Sequence, residues 1–328
     1  MGMEPGLREF KAARARIRGR VRITPMFDPT PYGTALLHGA GLAGTGRVLL
    51  KLENLQASGS FKARGAMNKL LSLGPEEAAA GLITASGGNH GLAVAWAAQS
   101  AGAPACVYLP TSAPAAKVRG LKALGAEVRI AGEVWDEANA AALADARTGG
   151  MTYAHPFADP VVIAGQGTLG LEILAQAPDI DTIIVAIGGG GLIAGVAAAA
   201  KALKPSIRIV GVEPIGAPTL YESLKAGGLV TLERIETAAG TLAPRRSMPL
   251  NYEMIAASVD RIALVSDEEM RAAARLLWRE FGLAAELAGA AAVAALMTGR
   301  HVPAPDETVV AIVCGAGTDG QTALNGHG

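Results

Sequence analysis

At 328 residues the chain has the length of about two domains and enough material for a sizeable core. Lys plus Arg equals Asp plus Glu at 29 each, and only 4% of residues are aromatic, which excludes an electrostatic case for nucleic acid or an anionic membrane. Half of the residues are hydrophobic and 42 are glycine, a profile that suits an α/β enzyme with Ala-rich helices and tight turns. The cysteines, Cys106 and Cys314, make neither a disulfide framework nor a metal-ligand spacing, so no metal and a reducing, cytoplasmic setting are expected.

The N-terminal residues Glu4, Arg8, Glu9, Lys11, Arg14 and Arg16 interrupt any apolar signal region and instead predict a short charged helix over 5–18. Thr24-Pro25 and a Pro/Gly-rich loop then lead to an apolar strand at 48–52. Small residues approach a turn at Ser58-Gly59-Ser60, and a helix is predicted over 62–73. A strand at 81–84, the loop 85–91 and a helix at 92–101 follow. Strands at 105–109 and 127–130 alternate with helices at 115–124 and 134–146, and Gly149-Gly150 is a boundary. The second half repeats the rhythm with a helix after Gly165, a strand at 182–187, a helix at 192–202 and a strand at 207–212. An irregular span over 216–260 precedes a strand at 261–265, helices at 267–281 and 287–298, and a last strand at 308–313. Short apolar strands alternating with helices imply parallel sheets covered on both faces. Residues 182–200 carry no charge and are long enough to span a bilayer, but Gly188 to Gly191 divide them into a buried strand and a buried helix.

Parallel α/β sheets bind ligands beyond the carboxyl ends of their strands, and the loops at those positions are chemically loaded. Lys62 lies at a helix N-terminus, where backbone N–H groups and the helix dipole oppose a second positive charge and lower an amine's pKa, which favours attack on carbonyl groups. Gly188, Gly189, Gly190 and Gly191 let backbone N–H groups converge on an anion at the start of a helix. Gly189-x-Gly191-x-x-Ala194, with Glu213 closing the next strand, also fits the looser dinucleotide fingerprint. The loop Ser86-Gly87-Gly88-Asn89-His90 offers N–H groups to a carboxylate and the Asn89 amide to an oxygen, with His90 read as structural. Cys314, at the end of the last strand, is either a buried small hydrophobe or a weak partner for a ring nitrogen. No neighbouring cation or histidine in sequence makes it a nucleophile.

Together these stretches resemble the fold-type II pyridoxal-phosphate enzymes, specifically the threonine/serine dehydratase and serine racemase group. The matching residues run from Lys51-Leu-Glu53-Asn-Leu-Gln56 through Ser58-Gly-Ser-Phe61-Lys62-x-Arg64-Gly65-Ala66 to Ser86-Gly-Gly-Asn89-His90-Gly91. His155-Pro156, Ala164-Gly165-Gln166-Gly167-Thr168, Gly188 to Gly191, Gly211-Val-Glu213-Pro214, Glu286 and Cys314-Gly follow in the family's order. The resemblance implies two open, twisted, mostly parallel sheets with helices on both faces, like the β subunit of tryptophan synthase. It implies a large domain of 1–74 with 151–328, a small mobile domain of 75–150, and a homodimer.

It also implies roles. Lys62 resembles the lysine that holds pyridoxal 5'-phosphate as a Schiff base, with Phe61 beside the ring. Gly188 to Gly191 resemble the phosphate cradle, and Asn89 the partner of the ring hydroxyl. Ser86, Gly87, Gly88, Asn89 and His90 resemble the loop that receives the substrate carboxylate, while Cys314 falls at the pyridine nitrogen. The implied reaction is β-elimination from a β-hydroxy L-amino acid such as threonine or serine, giving a 2-oxo acid and ammonia.

The departures narrow this reading. Gly87 stands where serine racemases carry a second acid/base, so racemisation is not expected. Thr219 stands opposite Glu213 where some relatives pair two acids around a divalent cation. The segment Ala239-Gly240-Thr241-Leu242 replaces Ala-Asp-Gly-Leu, and no regulatory domain is expected after the last motif. The alternatives are hydroxyaspartate or phenylserine dehydration, β-replacement of the cysteine-synthase kind, an NAD-dependent oxidoreductase, and a binding protein on the same scaffold. The last would be expected to have lost Lys62.

Overall fold

The computed structural model describes residues 4–29 and 46–322; most of the Pro/Gly-rich stretch expected before Val48 lies outside them. In chain order the strands are β1 (Met26–Phe27), β2 (Arg47–Leu52), β3 (Leu82–Ala85), β4 (Ala105–Leu109) and β5 (Glu127–Ile130). They continue with β6 (Thr152–Tyr153), β7 (Thr182–Ala186), β8 (Arg208–Pro214), β9 (Arg261–Val265) and β10 (Thr308–Val313). Six of them form one sheet in the order β1-β2-β10-β7-β8-β9, and four form a second in the order β5-β4-β3-β6. Every pairing is parallel except β1 with β2. The parallel arrangement follows from composition: β7 is buried at every position and β2 and β10 at all but their first, as strands covered on both faces require.

This topology brings distant segments together. The last strand, β10, lies between β2 and β7, with Val313 opposite Leu52 and Ala311 opposite Ile184. The loops leaving β2, β10 and β7 therefore emerge side by side: the first leads to Lys62, the second begins at Cys314, the third is Gly188 to Gly191. Direct bonds fasten the first two, because Phe61 N–H donates to the Cys314 carbonyl and Ala316 N–H to that of Gly59. Ser58, at φ +57°, makes the sharp turn that this requires.

The helix carrying Lys62, Lys62–Leu71, packs on Pro160–Gln176. Gly165 makes that contact possible, since a Cβ there would come within 2.6 Å of the Gly65 Cα. The segment 164–168 is thus a close helix–helix contact inside a helix that begins at Pro160, earlier than the sequence suggested, with Asp159 capping Val161 and Val162. The span 216–260 is likewise more ordered than expected, because it contains helices Thr219–Ala226 and Pro249–Ser258. The first is capped from outside, with Glu213 accepting the Leu220 and Tyr221 N–H groups.

Behind the Lys62 helix lies a buried quartet of charges. The Arg64 guanidinium donates to both oxygens of Glu53 at 2.8 and 2.7 Å and to Glu172 at 2.9 Å. Lys51, with its side chain wholly enclosed, pairs with Glu172 at 2.6 Å and donates to the Thr24 carbonyl and the Gln176 side chain. Two positive and two negative charges cancel, and nearly every donor is used, which is the condition for holding ions out of water.

Candidate active site

Lys62 is the first residue of its helix. Its Nζ donates to the Pro156 carbonyl at 2.6 Å and lies 5.1 Å from the centre of the Phe61 ring. Burial lowers its pKa from 10.5 to about 8, and the nearby Cys314 and Glu286 oppose the shift only in part. The sequence argument rested on the helix dipole; in the folded chain loss of water is the main cause. Cys314, itself buried, points its thiol at the Ala288 carbonyl 3.4 Å away, and burial pushes its pKa upward, so it is a neutral thiol.

Pro156 and Phe157 link the lysine to the glycine loop. While Pro156 holds Lys62 Nζ, the Phe157 ring lies over Gly189, where an added Cβ would come within 2.3 Å of it. Gly190, at φ +92°, turns the chain into helix Gly191–Leu203. Ser247 donates to the Gly189 carbonyl and Asn251 to that of Phe157, which fixes the loop from its outer side. The N–H groups of Gly188, Gly189 and Gly190 have no acceptor among the described residues. Together with the free first N–H groups of the helix they form a cradle for an anion. A desolvated amine beside such a cradle, with a neutral thiol on the neighbouring strand end, fits a phosphorylated aldehyde cofactor with a ring nitrogen.

The loop Ser86 to His90 leaves β3, on the other sheet, and enters helix Asn89–Ala101, so Asn89 and His90 are in its first turn. Ser86 Oγ accepts from Gly88 N–H within the loop. His90 is buried with Nε2 against the Ala154 carbonyl at 2.9 Å, and burial lowers its pKa to about 3. Its imidazole is therefore neutral and structural, leaving its backbone for the cleft. His155 is also neutral: burial takes its pKa to about 4, and Nδ1 accepts from the N–H groups of Phe157 and Ala158.

Glu286 stands directly against this loop. Asn89 Nδ2 donates to its Oε1 at 2.6 Å, and Thr241 Oγ1 lies 3.4 Å from the same oxygen. Burial raises the pKa of Glu286 to about 7. The sequence singled out Lys62, Asn89 and the glycines. It gave no role to Pro156, Phe157, Ser247, Asn251 or Glu286, although His155-Pro156 and Glu286 stood among the matching motifs.

Comparison with known proteins accords with this arrangement. A family described as pyridoxal-phosphate dependent enzyme matches residues 23–315. The chain belongs to the pyridoxal-phosphate dependent enzymes. It is 38% identical over 304 residues to an L-threonine ammonia-lyase of Thermotoga maritima, covering 93% of this chain and 74% of that protein. It is 40% identical over 318 residues to a phenylserine dehydratase of Ralstonia pickettii, covering 97% of this chain and 95% of the relative. The structure of maize serine racemase superposes with a TM-score of 0.90 at 33% identity, covering 98% of this chain and 97% of that one.

Membership removes the dinucleotide reading of the glycine loop, and the structure supplies a reason. Both oxygens of Glu213, the acid that fingerprint would assign to a ribose, are occupied by the N–H groups of Leu220 and Tyr221. Among the described residues no group of three or more His, Cys, Asp or Glu side chains could hold a metal ion, and no helix is long and apolar enough to cross a membrane.

Proposed function

We propose that the protein is an ammonia-lyase that removes water and then ammonia from a 3-hydroxy L-amino acid of the threonine or serine kind. The observation that carries the reading is the desolvated Lys62 amine, set where the ends of β2, β10 and β7 meet and bounded by a cradle of free N–H groups. Relatives named threonine ammonia-lyase and phenylserine dehydratase support the reaction class.

Bound pyridoxal phosphate supplies an aldehyde for exchange with the substrate amine and a ring that accepts the electron pair left at Cα. The chain's own residues do the rest. Lys62 would hold the cofactor, with Phe61 beside it; Gly188 to Gly191 would receive the phosphate, Asn89 would serve the ring hydroxyl and the Cys314 thiol the ring nitrogen. The N–H groups of Ser86 to His90 orient the substrate carboxylate. An amine lowered to about 8 holds or releases a proton near neutral pH, so Lys62 Nζ takes the Cα proton. A neutral Cys314 thiol would not hold a proton on the cofactor's ring nitrogen as a carboxylate would, and that would suit prompt loss of the β-hydroxyl. Water leaves across Cα–Cβ and returns when the resulting imine is hydrolysed, so the net products are a 2-oxo acid and ammonia.

We take residues 75–150 as a smaller domain that closes on the substrate and excludes water, and 1–74 with 151–328 as the larger one, from which β6 reaches across to pair with β3 of the smaller sheet. We place the enzyme in the cytoplasm as a homodimer, in keeping with two free, buried cysteines. Visible absorbance that borohydride abolishes, present in the wild type and absent from Lys62→Ala, is the expected spectroscopic result. Release of 2-oxo acid from a panel of threonine, serine, 3-hydroxyaspartate and phenylserine then identifies the substrate. A colourless protein that takes up no pyridoxal phosphate defeats the cofactor assignment; a coloured one that releases no 2-oxo acid defeats the reaction.

A further inference from the structure

Glu286 occupies the N-cap position of helix Leu287–Met297, where a carboxylate ordinarily accepts from the first turn of its own helix. It does not. Asp319 accepts the Leu287 N–H instead, at 2.8 Å, and the Glu286 side chain turns into the cleft. Two glycines leave room for it: a Cβ at Gly315 would come within 2.6 Å of its Oε1, and one at Gly317 within 2.6 Å of its own Cβ. The same Cβ at Gly315 would lie 3.2 Å from Asn89 Nδ2, so the carboxylate and the amide meet directly above the residue that follows Cys314.

An amide presents N–H on one side and C=O on the other, and turning it over exchanges a donor for an acceptor. An ionised carboxylate can only accept, so it holds the amide in one of those orientations. We propose that Glu286 is the positioning residue for Asn89: by taking one amide N–H it fixes the side chain so that the other N–H donates to the cofactor's ring oxygen. The proposal rests on the cofactor reading of the cleft and adds to it a residue with no assigned role.

Glu286 also makes the device sensitive to pH. The groups facing it are Asn89 and Lys117 from the smaller domain, Thr241, Asp319, Lys62 and Cys314. Burial dominates its shift; Asp319 adds to it, while Asn89, Thr241 and Lys117 oppose it. With a pKa of about 7, the carboxyl gains a proton as pH falls through neutrality and can then donate to the Asn89 carbonyl, releasing the orientation.

The test uses the holoenzyme without substrate and reads the ratio of visible to near-ultraviolet cofactor absorbance, which follows the proton on the ring oxygen, between pH 6 and 9. In Glu286→Ala the ratio falls. In Glu286→Gln, whose amide can donate as well as accept and has no proton to titrate, the ratio falls between those of the wild type and Glu286→Ala and loses its inflection near neutral pH. Turnover of Glu286→Ala drops about 10- to 100-fold, the effect of losing one hydrogen bond to a charged group. The decisive comparison is the double variant. In an Asn89→Ala background, removing Glu286 changes the ratio and turnover no further, because Glu286 acts only through Asn89. Equal effects of Glu286→Ala in both backgrounds, or a ratio unaltered in Glu286→Ala, would overturn the proposal. Because the spectrum is read without substrate, a protein that dehydrates no amino acid fails the proposed reaction and not this test.

Discussion

Lys62 is worth perturbing for stability as well as for activity. At pH 7 the folded apoprotein keeps a largely desolvated ammonium, and the fall in pKa from 10.5 to about 8 measures that cost. At ~1.4 kcal/mol per pH unit the penalty is ~3 kcal/mol. Lys62→Met retains an unbranched stem of similar length and removes the charge, while the hydrogen bond to Pro156, worth ~1 kcal/mol, is lost. The variant apoprotein is therefore expected to be more stable than the wild type by ~2 kcal/mol at pH 7, or about 4 °C in melting temperature. The pH dependence has a definite sign. Below pH 8 both native and unfolded wild-type chains carry the proton, so the difference is constant. Between pH 8 and 10.5 the unfolded lysine keeps its proton while the native one sheds it, so wild-type stability rises and the gap closes. Thermal melts of both apoproteins, stripped of cofactor and compared at pH 7 and pH 10, check this. A variant less stable than the wild type at pH 7, or a gap that persists undiminished at pH 10, would refute the burial argument.

Other outcomes follow from the same geometry. Gly189→Ala places a methyl against the Phe157 ring and weakens cofactor binding by at least ~10-fold, measured by fluorescence titration, and Phe157→Ala in the same chain restores part of it. Removing one member of the buried quartet, as in Glu53→Ala, leaves Arg64 charged without its two-point partner and costs ~3–5 kcal/mol in denaturant unfolding. Replacing Glu53 and Arg64 together by Leu and Met costs less than either single change implies. Chelation by EDTA or addition of Mg2+ leaves turnover unchanged, since Glu213 is engaged by backbone N–H groups and Thr219 donates to the Pro244 carbonyl.

What the sequence discloses here is what short-range chemistry determines. Strands such as Thr182–Ala186 and Thr308–Val313 are legible because apolar runs preceded by an acidic residue and soon followed by glycine leave few alternatives. The roles given to Lys62, Asn89 and the four glycines came from motif order. Thr219–Ala226 escaped notice because its cap comes from Glu213 on the preceding strand, seven and eight residues upstream and outside the usual N-cap position. Glu286 was quoted as part of a motif without a function for a similar reason: its meaning lies in Asn89, 197 residues away. Pro156 and Phe157 act through a carbonyl and a ring face that only the folded chain brings to Lys62 and Gly189. The four-glycine run was read chiefly as room for a ligand, and the same glycines also admit Phe157, Thr241 and Ile255 at close range.

The placement of β10 between β2 and β7 has a consequence for synthesis. Translation yields β2 and β7 long before the strand that must lie between them, so these two cannot reach their native spacing on a growing chain. The smaller sheet, whose strands fall within residues 82–153, depends on no later strand and is free to form while the ribosome is still at work. The Lys62 amine, the Cys314 thiol and the glycine loop converge only after Val313 has emerged and been threaded into the gap. The complete pocket thus exists only once the whole larger sheet has closed, and specific cofactor capture becomes a report of that closure.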